Sequence, residues 1–227
     1  MAPILSVIVP VYNEAQTVAS IMQRITSALP DAQMIYVDDG SKDDSLQILK
    51  AHARPEDVVL TKENGGKGTA IRLGLGKAEG AYSVIQDADL EYDPADIARL
   101  LSTAQKNPGY VVFGSRFLTA NPVMYKRFLL GNKVLSLLVS ILFGKRITDS
   151  YTCYKLLPTP LFQSLHLQSN GFEMEAEICA KCLRRGITIL EVPIHYKPRS
   201  VAEGKKIRFS DAWKGLVTML SIRLFGR

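Results

Sequence analysis

Along its first half the chain alternates between two hydrophobic patterns. Leu5-Ser6-Val7-Ile8-Val9-Pro10 is a short, solid, β-branched run, expected of a strand buried on both faces of a parallel sheet. Asn13, with Gln16 three residues on, has the form of a helix N-cap, and Val18, Ile21, Met22 and Ile25 then recur at helical spacing. The same reading predicts strands at Met34–Val37, Asp57–Leu60 and Tyr82–Gln86, with helices over 45–50 and 69–77 between them. Beyond Pro94 it predicts helices over 96–105 and 172–185 and strands at Val111–Phe113 and Ile187–Val192. Strand, loop and helix in repeated succession give an α/β fold, Rossmann-like, with a mostly parallel central sheet and helices on both faces. Right-handed crossovers gather the strand C-termini on one edge, where ligands bind.

Two further stretches have a different pattern. Phe128–Phe143 is apolar apart from Lys133 and a few small or polar residues, and is bracketed by Lys126-Arg127 and Lys145-Arg146. It is short for a membrane span, which takes about 20 apolar residues. Two readings stay open: a buried helix, or a helix lying in a membrane interface. Toward the C-terminus, Trp213, Leu216, Val217, Leu220 and Leu224 share one helical face, so 211–227 reads as an amphipathic helix.

The 227 residues suit a single domain, and 47% hydrophobic content supplies a substantial core. A net charge of +6 favours an anionic partner without choosing among a phosphorylated substrate, a membrane surface and nucleic acid. No secretory signal pattern precedes the first strand, and three cysteines build no disulfide framework, so a cytoplasmic location is expected. Cys179 and Cys182 lack a second ligand pair and read as core residues on one helix face, and the histidines read as structural.

The chemistry-bearing residues cluster just after strand ends. Asp87-Ala88-Asp89 places two hard carboxylates at alternate positions, suited to Mg²⁺ or Mn²⁺, and Glu91 continues the alternation as a third candidate ligand. A metal held there would neutralise a departing diphosphate. In Pro10-Val11-Tyr12-Asn13-Glu14, Tyr12 offers a ring for a base and Glu14 an acceptor. In Asp38-Asp39-Gly40-Ser41 a carboxylate can accept from a nucleobase or ribose, though an Asx turn accounts for one of the two aspartates. Asn64-Gly65-Gly66-Lys67-Gly68 allows close approach to a phosphate, with Lys67 to pair it. It lacks the spacing of a P-loop, and no Gly-x-Gly-x-x-Gly follows the first strand, which argues against a dinucleotide enzyme.

Taken together, Ile8–Glu14, Val37–Ser41, Asn64–Gly68 and Gln86–Asp89 resemble in wording, order and spacing the successive motifs of the inverting family 2 glycosyltransferases with the GT-A fold. In the second half, Gly114-Ser115-Arg116, Thr148–Lys155, Gly171–Glu175, Val192-Pro193-Ile194 and Tyr196–Ile207 are similar to motifs of dolichyl- and polyprenyl-phosphate sugar synthases. The resemblance implies a nucleotide-sugar-binding half at 1–115, an acceptor half at 116–210 and the amphipathic helix at 211–227. It implies that Pro10, Tyr12, Glu14, Asp38, Asp39, Lys67, Gly68, Asp87 and Ala88 line the nucleotide site, with Asp87, Asp89 and Glu91 toward the metal. Arg116, Arg127, Arg199, Lys205 and Lys206 are the expected cations for an acceptor phosphate, although a solvated basic loop also explains the last two. Asp89, Arg116 and Asp149 are the expected catalytic residues, with Asp149 a base for an alcohol acceptor and an orienting group for a phosphate. A lipid phosphate needs positioning and charge compensation more than a base.

The resemblance therefore implies transfer of a hexose from GDP-mannose or a UDP-hexose to a polyprenyl phosphate, with inversion, by an enzyme resting on the inner face of the membrane. Many members of the family carry transmembrane helices after the catalytic domain and this sequence has none, so peripheral contact is expected. A glycan or other soluble acceptor is the alternative. A nucleotidyltransferase would need a glycine- and basic-rich turn where Pro10–Glu14 stands. A nucleic-acid binder has no recognition motif here and no use for the aspartate pair.

Overall fold

The computed structural model describes residues 3–123, 125–200 and 209–226, without the side chains of 127, 209 and 210. Its first half repeats the predicted alternation: β1 (Leu5–Val11), α1 (Val18–Ala28), β2 (Gln33–Asp38), α2 (Ser45–His52), β3 (Val58–Thr61), α3 (Lys67–Leu75) and β4 (Tyr82–Ile85). There follow α4 (Ala95–Lys106), β5 (Val111–Ser115), α5 (Lys126–Phe143), β6 (Lys155–Pro158), α6 (Thr159–Ser164), α7 (Met174–Arg184), β7 (Ile189–Pro193) and α8 (Phe209–Phe225).

The seven strands form one sheet in the order β3-β2-β1-β4-β6-β5-β7. All pairs are parallel except those made by β6, which runs antiparallel to both β4 and β5. The strand order reverses between β1 and β4, and a crevice opens beyond their C-termini, where this topology places ligands. The solid apolar runs explain the burial. Val7, Ile8, Val9, Met34, Ile35, Val37, Val84, Ile85, Val111, Val112 and Phe113 are all fully enclosed between helical layers, each worth roughly 1.5–3 kcal/mol against exposure.

Asn13 does not cap a helix. It adopts φ 50°, its Oδ1 accepts from Lys42 N–H at 2.8 Å, and α1 starts four residues later than an Asn13 cap would place it. The loop after β1 is stitched instead to the loop after β2: Glu14 N–H donates to Ser45 Oγ at 2.8 Å and Ala15 N–H to Asp43 Oδ2 at 3.1 Å. β6 and α6 are the elements that the hydrophobic pattern leaves out. Lys155 opens the strand and Pro158 closes it, which hides a short central strand from any reading by periodicity.

The two apolar stretches of the second half prove to be neighbours. α5 buries Leu135, Ser136 and Val139, as the buried-helix reading expects of one face, and exposes Leu130, Val134, Leu137 and Ile141 on the other. α8 packs on α5 and α7 through Met219, Ile222 and Gly215, while Trp213, Val217, Leu220 and Leu224 point outward. Gly215 is required: a Cβ there would lie 1.3 Å from the Tyr151 hydroxyl. Cys179 and Cys182 are buried on α7 as expected, and burial pushes the Cys182 thiol up to about 12. Among the described residues, no helix is long and apolar enough to cross a membrane.

Candidate active site

A cavity of about 660 Å³ opens at the crevice. Pro10, Tyr12, Glu14, Asp39, Lys67, Asp87, Ala88, Asp89, Glu91, Arg116 and Arg199 all face it, so the strand-end clusters do converge. Asp38 and Gly68 are absent from its wall. Asp38 is buried one layer behind, with Oδ2 accepting from Ser41 N–H at 3.2 Å and Oδ1 without a hydrogen-bond partner. Gly68 faces the 169–170 segment: its N–H donates to Asn170 O at 2.7 Å, and a Cβ would lie 2.2 Å from Ser169 O. Asp39 is spent on scaffold. It accepts from Lys62 Nζ at 2.7 Å, Gly65 N–H at 3.0 Å and Gly66 N–H at 2.8 Å, and so shapes the loop that presents Lys67.

Asp87 and Asp89 leave β4 side by side. Leu90 is held at φ 63°, a conformation a branched side chain adopts only under constraint, and Asp89 Oδ1 accepts from Glu91 N–H at 3.1 Å. Burial pushes the Asp89 carboxyl up to about 7; repulsion from Asp87 and Glu91 adds to the shift and Arg199 opposes it. Two crowded carboxylates that resist ionising together fit a hard divalent cation, with diphosphate oxygens to complete its shell. The third expected ligand, Glu91, faces the same cavity and is also engaged by the segment after β7. Glu91 Oε2 accepts from the Tyr196 hydroxyl at 2.9 Å and Oε1 from Arg199 N–H at 2.7 Å, which ties the metal loop to the segment after β7. Among the described residues no three His, Cys, Asp or Glu side chains converge as a metal cluster; Asp87, Asp89 and Glu91 all face the cavity, and Glu91 also braces the loop that carries the two aspartates.

The cations stand around this pair. Lys67 Nζ lies 2.8 Å from Asp87 and 2.9 Å from Glu175. Burial works against its charge, but Asp87 and Glu175 outweigh burial and hold its pKa well above the ordinary value. Arg199 makes a two-pronged pair with Glu14, at 3.0 and 2.9 Å, and stands 3.4 Å from Asp89. Arg116 makes the same fork on Asp149, at 2.7 and 2.8 Å, and its guanidinium lies 5.1 Å from the Tyr196 ring. Asp149 is fully buried and both its oxygens accept from Arg116, the geometry of a group that orients the arginine. Arg127 sits in the first turn of α5, its side chain among those not described, and Lys205 and Lys206 lie outside the described residues.

Beyond the arginines the cavity changes character. Phe117, Val123, Phe128, Leu129 and Leu135 line it up to the flank of α5. None of these is a motif residue, and neither Tyr92 nor Asn121 was expected at the site. Asn121 Nδ2 donates to Arg116 O and Ile194 O, and its Oδ1 accepts from Tyr196 N–H, which fixes the loop over the cavity. A lone polar residue among Ala120 and Pro122 carries no signal from which this could be read.

A mostly parallel sheet covered by helices, with a carboxylate pair and a lysine beyond the strand ends at its switch point, is a Rossmann-like α/β frame. Comparison with known proteins agrees. The sequence model described as Glycosyl transferase family 2 matches residues 6–153, and the chain belongs to that family. It is 25% identical over 97% of its length to the low-salt glycan biosynthesis hexosyltransferase Agl6 of Haloferax volcanii, of which it spans 54%. It is 26% identical, again over 97%, to an undecaprenyl-phosphate 4-deoxy-4-formamido-L-arabinose transferase of Salmonella paratyphi B, spanning 69% of that protein. The chain thus spans about half of the first of these relatives. Among solved structures, glucosyl-3-phosphoglycerate synthase of Mycobacterium tuberculosis, in complex with Mn²⁺, UDP and phosphoglyceric acid, matches 98% of the chain and 79% of its own at a TM-score of 0.75 and 20% identity. The fold is GT-A.

Proposed function

We propose that this chain transfers a hexose from a nucleotide-sugar to a polyprenyl phosphate, with a divalent ion, Mg²⁺ or Mn²⁺, at Asp87 and Asp89. The observation that carries the reading is the continuity of one cavity from that carboxylate pair, past Arg116 and Arg199, into the apolar wall of Phe117, Val123, Phe128, Leu129 and Leu135. A nucleoside diphosphate suits the first part, a phosphate the middle and a prenyl chain the last. The ion, when bound, neutralises the diphosphate leaving group.

The chain's own residues do the rest. Tyr12 and Glu14 flank the nucleotide. Lys67 faces the diphosphate. Arg116, held in place by Asp149 and Tyr196, and Arg199 draw in the acceptor phosphate. Its oxygen attacks the anomeric carbon from the face opposite the diphosphate; the new C–O bond forms as the bond to the diphosphate breaks, and the configuration inverts. An ionised phosphate has no proton to lose, so the transfer needs positioning and charge compensation rather than a general base.

The outward apolar stripes of α5 and α8 support peripheral contact with a membrane, and α5 also lines the apolar part of the cavity. The test is transfer to a short-chain polyprenyl phosphate from GDP-mannose, UDP-glucose and UDP-N-acetylglucosamine in parallel, with Mn²⁺ or EDTA. Lipid-linked sugar from one donor, lost with EDTA, is the expected result. Nucleotide binding without lipid product would move the acceptor to a glycan or another soluble molecule.

A further inference from the structure

One line of charges runs from the cavity into the core. Lys155, the first residue of β6, is fully buried; its Nζ donates to Glu175 Oε2 at 2.6 Å and to the Thr152 carbonyl, and stands 5.3 Å from the centre of the Phe113 ring. Glu175, also buried, offers its other oxygen to Lys67 at 2.9 Å, and Lys67 reaches Asp87 at 2.8 Å. Signs alternate along Lys155, Glu175, Lys67 and Asp87, and burial rises with distance from the cavity, from 21% side-chain exposure at Asp87 to none at Lys155.

A lysine at the bottom of such a line is an expensive way to fill space. An ammonium taken out of water has to be matched by a partner, and an apolar side chain of the same length would pack there without that cost. Its effect is electrostatic. Glu175 without Lys155 would present its whole charge to Lys67, drawing that ammonium inward, away from Asp87 and from anything entering the cavity. Glu175 shared between two ammoniums holds Lys67 more weakly.

We propose that Lys155 is a positioning residue for the donor site: by taking up part of the Glu175 charge, it keeps Lys67 shared with Asp87 and available to the diphosphate of the nucleotide-sugar. This rests on the nucleotide-sugar reading above. Lys155 touches no substrate and acts through two intervening side chains. Glu175 is the set-point between them, and the two residues oppose each other in their effect on donor binding.

The test is calorimetric titration of the full chain with UDP and with GDP in the presence of Mn²⁺, for the wild type, Lys155→Met and Glu175→Gln. Lys155→Met is expected to weaken the better-bound nucleotide by about tenfold, and Glu175→Gln to tighten it by about threefold, since charge pairs act at close range in a dry site. A merely structural role moves both variants in the same direction, or moves only their melting temperatures, and either result overturns the proposal. If Lys155→Met does not fold, Glu175→Gln decides alone: tighter binding upholds the proposal, unchanged or weaker binding ends it. A wild-type chain that binds neither nucleotide would bring down the nucleotide-sugar reading, and this inference with it.

Discussion

Asp89 sits where three negative charges meet, and its raised pKa makes that crowding measurable. The folded chain holds a proton there that the unfolded chain releases near pH 3.8, so this contribution to stability falls as pH rises from about 4 to 7. Removing the charge should reverse the loss. With EDTA present, Asp89→Asn is expected to be more stable than the wild type by about 1 kcal/mol at pH 8 and to lose that advantage by pH 5, read from urea unfolding. The same site should bind Mn²⁺ more tightly as pH rises toward 7 and level off above it, because the ion displaces the proton. Asp89→Ala should leave the fold intact and lower metal-dependent turnover by at least about a hundredfold. Arg199 tests the other half of the site. Arg199→Ala is expected to raise the KM for the lipid phosphate by about tenfold while the donor Kd moves by less than about twofold; an unchanged acceptor KM would relocate the acceptor phosphate. Most of these residues were legible in the sequence, because unlike charges placed after successive strands have little purely structural excuse. What it hid was pairing. Nothing in the spacing says that Arg116 would be locked on Asp149, that Glu91 would brace the loop after β7, or that Gly68 would serve the 169–170 segment.

At the scale of elements, periodicity located every helix that buries a regular stripe and missed the pieces that do not. β6 is four residues long with a buried lysine at its head, and no alternation exists to be read. α8 was legible as a helix, but the stripe that marks it is the one facing out, with Trp213 at 66% exposure and Leu224 at 68%. The matching stripe on α5 includes Ile141 at 69%. Flotation with vesicles containing anionic lipid should recover the wild type, and the paired change Ile141→Ser with Leu224→Ser should abolish recovery without altering nucleotide binding. Gly215 sets the seat of α8 on Tyr151. Gly215→Ala is expected to cost about 2 kcal/mol or more in a denaturant melt, since the hydroxyl has to vacate a place set by packing on both sides.

Across the whole molecule the first half reads almost unaided: local strand–helix–strand units fold each strand next to one already placed. The second half does not follow that logic. β5 joins the rest of the sheet only through β6, which arrives some forty residues later in the chain, and β4 meets β6 over just two residue pairs, Tyr82 with Pro158 and Ser83 with Leu157. The family match ends at residue 153, two residues before that strand begins. A fragment cut at that boundary would keep β4 and β5 and lose both strands that flank β5, baring the backbone edges of Val111, Val112 and Phe113. Such a fragment is expected to run as aggregates on a sizing column rather than as a free nucleotide-binding half. The sheet closes late, and the stretch from 155 to 158 is the stitch that makes two halves one protein.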